Sequence, residues 1–412
     1  MNNQLFSRQV LPGHLHAGPL EPHLDAFVGV LSGRGYAEST TKAKIQVISE
    51  LNQWLQKRHL VIDNLNESCV NKFINHRKKR NRLRSGDQLA LKQFITFLRE
   101  EGILSAFVPE IKDSEIQHIE NSLAQYLQQE RGLSQATLDN YLPTIRRFLT
   151  ERFRKRKIIF EELCTQDISK FVLRYAHTMS PGRAQTMVNA LRSFFRFLYQ
   201  RGEIAIDLAA AVPTVAKWQF SEIPKFLQPE QVKHLLESCN RSTGTGKRNY
   251  AILLLLSRLG LRAGEIVHME LDDILWEAGE LIVKGKSSRE EKLPLPHDVG
   301  QAIATYLRDI RPHCSSRRLF IRMVAPLRGF SSSVNVCTIV RDSLARAGIN
   351  TDFKGAHLFR HTLATNMLRG GANISEIGEI LRHQNPNATE IYAKVDFASL
   401  RTIAQPWPGG AI

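Results

Sequence analysis

The stretch Gly355–Ala356–His357–Leu358–Phe359–Arg360–His361 carries a histidine and an arginine three residues apart. Residues at i and i+3 project from one face of a helix. Gly355 and Ala356 stand just before the pair, which puts it in a first helical turn. There the unpaired N–H groups and the helix dipole favour an anion. An imidazole, a guanidinium and a helix start together suit a phosphate. On its own, a His-x-x-Arg pattern is more often a surface or capping feature, so the surrounding sequence has to decide.

Working upstream, Gly260–Leu261–Arg262–Ala263–Gly264–Glu265 reads as a helix-breaking turn with an arginine and a carboxylate three apart. The segment Glu280 to Leu295 (ELIVKGKSSREEKLPL) has short apolar runs around a polar, Gly- and Ser-containing turn. That pattern predicts a β-hairpin with Lys286 at its tip; Lys284 and Lys292 are rivals on the same hairpin. Downstream, His383 is followed nine residues later by Tyr392.

Taken together, GLRAGEI (260–266), GKSSREEKLPL (285–295), HLFRHTLAT (357–365) and LRHQNPNATEIYAKV (381–395) resemble the catalytic domain of the tyrosine recombinases, the phage integrase-like family. The resemblance runs from about Leu227 to Ala398, and the intervals look like those of Xer-type members. It implies six catalytic positions in family order: Arg262, Lys286, His357, Arg360, His383 and Tyr392. Two departures stand out. Ala356 replaces the usual proline before the first histidine, and Arg382 stands where Leu-Gly-His has its glycine. Arg382 thereby adds a charge near the site, where it could alter DNA contacts.

The resemblance also implies an activity. It points to a site-specific DNA recombinase or integrase that works through a 3′-phosphotyrosyl intermediate in the integration or transposition of a mobile element. The implied partner is double-stranded DNA bearing a specific recombination site, bound by a tetramer on paired sites, with accessory recombinases as further partners. In the family the chain end after the tyrosine often docks on a neighbouring protomer; here about 20 residues follow Tyr392.

The roles follow from what phosphodiester cleavage needs. It requires an aligned nucleophile, cations on the non-bridging oxygens and an acid for the leaving alkoxide. Tyr392 suits the first task, but a free phenol has a pKa of about 10 and needs activation. Arg262 and Arg360 suit the second, because guanidinium forks pair bidentately with phosphate. Lys286 suits the third, and in the family this lysine is the general acid. His357 could accept the tyrosine proton, since free imidazole titrates at about 6.5. His383 would donate to the phosphate. Glu265 reads as a buttress, and His361 as a packed helix residue rather than a catalyst.

The first half of the chain repeats itself. Gly35 and Gly132, Leu65 and Leu163, and Phe94 and Phe194 open similar stretches 97, 98 and 100 residues apart. Each copy reads as all-helical. Ile45, Ile48, Leu51, Trp54 and Leu55 share one helix face, as do Leu138, Tyr141, Leu142, Ile145, Phe148 and Leu149. Ser39 and Ser134 are candidate N-caps. Phe94, Phe97 and Leu98, and their counterparts Phe194, Phe197 and Leu198, predict core packing.

The expected fold is therefore mainly α with a small antiparallel β-sheet. Two tandem helical core-binding (SAM-like) modules precede a mixed α+β catalytic domain. The expected boundaries are a tail over 1–18, the first module over 19–108, the second over 114–208, a linker over 209–226 and the catalytic domain over 227–412.

The chain has 56 Lys and Arg against 40 Asp and Glu, a net charge of +16. That excess favours a polyanion. The runs His76 to Arg84 (HRKKRNRLR) and Arg146 to Lys157 (RRFLTERFRKRK) are candidates for phosphate contact. No run of about 18 apolar residues predicts a membrane span. The five separated cysteines predict reduced thiols in a cytoplasmic protein rather than zinc ligands. Neither an acidic triad nor a Walker-type loop is present, so the expectation is a site without metal or other cofactor. Two alternatives share parts of this pattern: DNA relaxation of the type IB topoisomerase kind, and a non-catalytic DNA-binding accessory protein. Loss of a catalytic residue would favour the second, and none is lost.

Overall fold

The computed structural model describes residues 18–104, 115–154, 156–215, 224–285, 290–383, 385 and 388–395. These fall into two compact units. One takes in the first helical module together with the C-terminal segment, and the other is the second helical module.

The first module contains α1 (Leu24–Gly33), α2 (Glu38–Gln56), α3 (Glu67–Lys79) and α4 (Asp87–Glu100). Ile45, Ile48, Leu51, Trp54 and Leu55 are buried along α2, as their helical spacing requires. They share a core with Phe27, Phe73, Phe94, Phe97 and Leu98. The Phe27 and Phe94 rings meet edge to face at 5.1 Å. Ser39 lies inside α2, whose N-cap is Ala37.

The second module follows the same plan with α5 (Glu115–Gln125), α6 (Gln135–Phe153), α7 (Thr165–Ala176) and α8 (Pro181–Gln200). Ser134 is the N-cap of α6, although its hydroxyl pairs with Thr137 Oγ1 rather than with a backbone N–H. Leu138, Ile145, Phe148 and Leu149 are buried, with Tyr141 and Leu142 partly so. The duplication reaches backbone conformation. Gly35 and Gly132 have φ of +77° and +64°, and Gly102 and Gly202 have +71° and +72°. Left-handed φ favours glycine, which explains why both copies keep it at these turns. Leu208, Ala209 and Val212 still belong to the core of the second module.

The basic runs divide between structure and surface. Arg77 is buried between Glu50 and Asp87, the latter at 2.8 Å. Arg146 pairs with buried Glu120 at 2.6 Å and Arg152 with Asp167 at 2.8 Å. Lys78, Lys79, Arg80, Arg82, Arg84, Arg154, Arg156 and Lys157 are exposed.

The C-terminal segment is built on α10 (Gly244–Leu259), preceded by α9 (Pro229–Glu237). Ala251 to Leu256 are all buried, so α10 is apolar on every side and forms the centre of the core. Around it pack α12 (His297–Asp309), α13 (Ser333–Arg346) and α14 (His357–Arg369). Short α11 (Ala263–His268) follows α10, and α15 (Ile374–Ile380) follows α14. The antiparallel sheet has the order β1 (Ile274–Leu275), β2 (Glu280–Lys284), β3 (Glu290–Pro294). Leu281 and Val283 point inward, and Lys284 pairs in register with Glu290. The hairpin tip, including Lys286, lies outside the described residues. Among the described residues no helix is long and apolar enough to cross a membrane.

Arg77→Ala should strand two carboxylates and cost on the order of 3 kcal/mol, whereas exposed Arg80→Ala should stay within about 0.5 kcal/mol. Urea unfolding of the two variants measures this. Equal small losses would show that Arg77 has no structural task.

Candidate active site

Three helix ends meet at Arg360. Its side chain rises from the first turn of α14 and is 2% exposed. Nη1 donates to Gly260 O at 2.8 Å, and Nη2 donates to Leu381 O. Gly260 is the C-cap of α10 and Leu381 that of α15. The cation therefore satisfies two carbonyls that helix geometry leaves without partners. Gly260 has φ +56°, and a Cβ there would come within 2.9 Å of Leu381 Cδ2 and 3.0 Å of Leu363 Cδ2. The tight junction requires glycine. Burial, with the nearby Arg262 and Arg382 charges, lowers the Arg360 pKa to about 10, so the group stays cationic at neutral pH.

Arg262 caps α11. Its backbone N–H donates to Glu265 Oε2 at 2.8 Å, and its Nη1 meets Glu265 Oε1 at 2.8 Å. Nη2 donates to Arg382 O at 3.2 Å. Glu265 is thus the buttress that the spacing suggested. Arg382 turns into the protein. Its side chain is 5% exposed and bonds Glu265 Oε2 at 2.9 Å.

Tyr392 lies on a 3₁₀ turn, Glu390–Val395, and is 1% exposed among Ala364, Ile377 and Leu381. Its hydroxyl is 3.0 Å from His361 Nδ1. The His383 ring lies parallel to it, with centroids 6.5 Å apart and planes 4° apart. His383 Nδ1 is in turn fixed by Thr389 Oγ1 at 2.6 Å. His357 lies on the outer side of this group, 6.1 Å from the His361 ring. The structure therefore brings Arg262, Arg360, His383 and Tyr392 together, with His357 beside them. It adds His361, which the sequence reading had set aside as packing. The missed signal was spacing: His357 and His361 stand at i and i+4 on one helix face.

Proton affinities follow from this enclosure. Burial pushes the Tyr392 phenol up to about 12, partly offset by Arg360. Burial and the neighbouring positive groups bring His361 and His383 down to about 4. His357 keeps a solvent-exposed edge, yet its dense surroundings, Arg360 and Arg262 lower its pKa as well. At neutral pH the site therefore holds a protonated phenol against neutral imidazoles. The short contact gives the phenol a hydrogen-bonded partner, but with these proton affinities transfer to His361 is uphill while Tyr392 stays buried.

Lys284 Nζ pairs with Asp273 Oδ1 at 2.7 Å and Lys292 Nζ with Glu280 Oε2 at 3.1 Å, so both rivals of Lys286 hold structural carboxylates. Among the described residues no group of three or more His, Cys, Asp or Glu is arranged to hold a metal ion.

Comparison with known proteins adds a lineage to this geometry. The model of the phage integrase family matches residues 225–399, and that of the phage integrase N-terminal SAM-like domain matches 121–202. A putative integrase/recombinase of Sinorhizobium fredii, y4rA, is 41% identical over 401 residues, covering 96% of each chain. That span takes in the first helical module. Tyrosine recombinase XerC of Bacillus pumilus is 30% identical over 69% of this chain and 94% of its own. The crystal structure of XerH site-specific recombinase bound to palindromic difH substrate shares the fold, with a TM-score of 0.56 at 19% identity. It covers 74% of this chain and 92% of its own.

A histidine with a depressed folded-state pKa contributes stability that is full above its unfolded value, about 6.5, and is lost as pH falls through the folded value. For His361 and His383 that window runs from about 6.5 down to about 4. The urea midpoint should therefore drop between about pH 7.5 and pH 5, and the drop should be smaller in His361→Gln. Identical pH slopes in the two proteins would contradict a neutral, buried His361.

Proposed function

The chain belongs to the phage integrase family and is a tyrosine site-specific recombinase; on that premise we propose that Tyr392 is its nucleophile and that Arg262, Lys286, His357, Arg360 and His383 complete the site. The observation that carries this reading is the convergence of buried Arg360 with Tyr392, His361 and His383.

In cleavage, Tyr392 Oη attacks the scissile phosphorus. The P–Oη bond forms as the bond from phosphorus to the 5′ oxygen breaks, leaving a 3′-phosphotyrosine. As Tyr392 leaves the pocket its phenolic proton passes to an imidazole, the role assigned to exposed His357. Lys286 gives a proton to the departing 5′ oxygen. Rejoining reverses these steps with the 5′-hydroxyl of another strand, so the phosphodiester energy is conserved. A guanidinium has five N–H donors. Two of those on Arg360 face Gly260 and Leu381, and the others suit the non-bridging oxygens. Arg262 supplies a second fork, held by Glu265. His383 donates to the same phosphate. Tyr392 is nearly inaccessible in this arrangement, so cleavage includes its release from the pocket.

The substrate is double-stranded DNA with a specific recombination site. XerH holds such a site in its crystal structure, and the exposed lysines and arginines of both helical modules support the same partner here. We extend this to a tetramer on paired sites, with accessory recombinases, serving a mobile element in the cytoplasm. Two modules, the second reaching to Val212, followed by the catalytic segment, would form the clamp.

Lys286→Ala should cut single-turnover cleavage by about 100-fold or more on a normal 5′ oxygen, within the range for general-acid catalysis. On a 5′-bridging phosphorothiolate, whose thiolate leaves unaided, the loss should largely vanish. Equal losses on both substrates would remove Lys286 from the acid role. Cleavage should also persist in EDTA, because guanidinium and ammonium groups supply the positive charge.

A further inference from the structure

Arg382 occupies a position whose backbone suits glycine. Its φ is +58°, a left-handed value that carries a steric penalty for any residue with a Cβ. Its long charged side chain is nevertheless turned into the protein. Nη2 bonds Glu265 Oε2 at 2.9 Å, and Nε lies 3.5 Å from Glu291 Oε2 on β3. Nη1 is buried and has no hydrogen-bond partner among the described residues. A strained backbone and an incompletely satisfied buried cation are both destabilising. Their coincidence beside the catalytic arginine calls for a functional reason.

Glu265 supplies it. One oxygen takes Arg262 Nη1 and the other takes Arg382 Nη2. A carboxylate paired with Arg262 alone would neutralise the very charge that the phosphate needs. With two guanidiniums on one carboxylate, Glu265 is shared between Arg262 and Arg382, while partly exposed Glu291 faces Arg382 alone, on its other side. Arg262 is then held in place by Glu265 without being cancelled by it. The Arg382 carbonyl, which accepts from Arg262 Nη2 at 3.2 Å, fixes the same guanidinium from a second side. Glu291 anchors the arrangement to the hairpin.

We propose that Arg382 is a positioning residue for strand cleavage, sharing Glu265 with Arg262 so that Arg262 is oriented and positively charged towards the scissile phosphate. The proposal rests on the reading that Arg262 contacts that phosphate.

Arg382→Gly tests it, because glycine accepts the backbone conformation while the side chain and its guanidinium are removed. The variant should fold and bind its DNA site as tightly as the parent, while single-turnover cleavage falls about 10- to 100-fold, the range for a misplaced catalytic group. The discriminating substrate carries a neutral methylphosphonate at the scissile position, where no anionic oxygen needs Arg262. There the loss should shrink to within about 3-fold. The double variant Arg262→Ala/Arg382→Gly should be no slower than Arg262→Ala alone. Undiminished loss on the methylphosphonate, additive losses in the double variant, or full activity of Arg382→Gly on phosphate would each overturn the proposal. If Arg382→Gly fails to fold, Arg382→Lys is put through the same comparison, since one ammonium cannot serve both carboxylates. Arg262→Ala alone separates the two readings. If it gains nothing from the methylphosphonate, the assignment of Arg262 to the phosphate has failed, whatever Arg382 does.

Discussion

The site depends on a buried guanidinium that makes its hydrogen bonds to the ends of helices. A charge removed from water is tolerated only when hydrogen bonds and opposite charge surround it. Arg360 meets this condition with the carbonyls of Gly260 and Leu381, which are 100 and 21 residues away in sequence. Both close helices, where the dipole places partial negative charge. One side chain therefore does two jobs. It caps α10 and α15, and it locks together the turn bearing Arg262, the helix bearing His357 and His361, and the strip bearing Arg382 and His383. A phosphate arriving at this junction meets donors that are already oriented.

The same enclosure sets the state of Tyr392, the proposed nucleophile. Burial raises Tyr392 to about 12 and drops its imidazole neighbours to about 4. The resting enzyme thus holds its phenol protonated and shielded from solvent, bonded to His361. Glu265 performs the complementary task on the other side of the site by orienting Arg262.

Much of this was legible in the sequence, and for identifiable reasons. The repeated glycines at 35 and 132 and at 102 and 202 mark left-handed turns, which few other residues tolerate. The short apolar runs around a polar turn marked the hairpin, whereas the inward face of β2 shows only in the burial of Leu281 and Val283, since Ile282 between them is apolar too. Glu265 stands three residues after Arg262, so its buttress role needed only local geometry. Long-range pairing was less visible. Arg77, Arg146 and Arg152 sit in runs that look like solvated DNA-facing surface, yet their carboxylate partners lie 10 to 27 residues away along the chain. The partners of Lys284 and Lys292, Asp273 and Glu280, were likewise not apparent from the hairpin sequence. Arg382 read as an added charge near the site, and its pairing with Glu265, 117 residues away, was not visible in the sequence. His361 was discounted because its partner, Tyr392, is 31 residues downstream.

The central claim is that the tyrosine held by His361 and His383 is the group that bonds to DNA. Its most direct test is to trap the covalent complex on a nicked recombination site, digest it, and locate the nucleotide by mass spectrometry. The account predicts a 3′-linked nucleotide on the peptide containing Tyr392, at the phenolic oxygen. Attachment at any other residue, or through a 5′-phosphate, would contradict it.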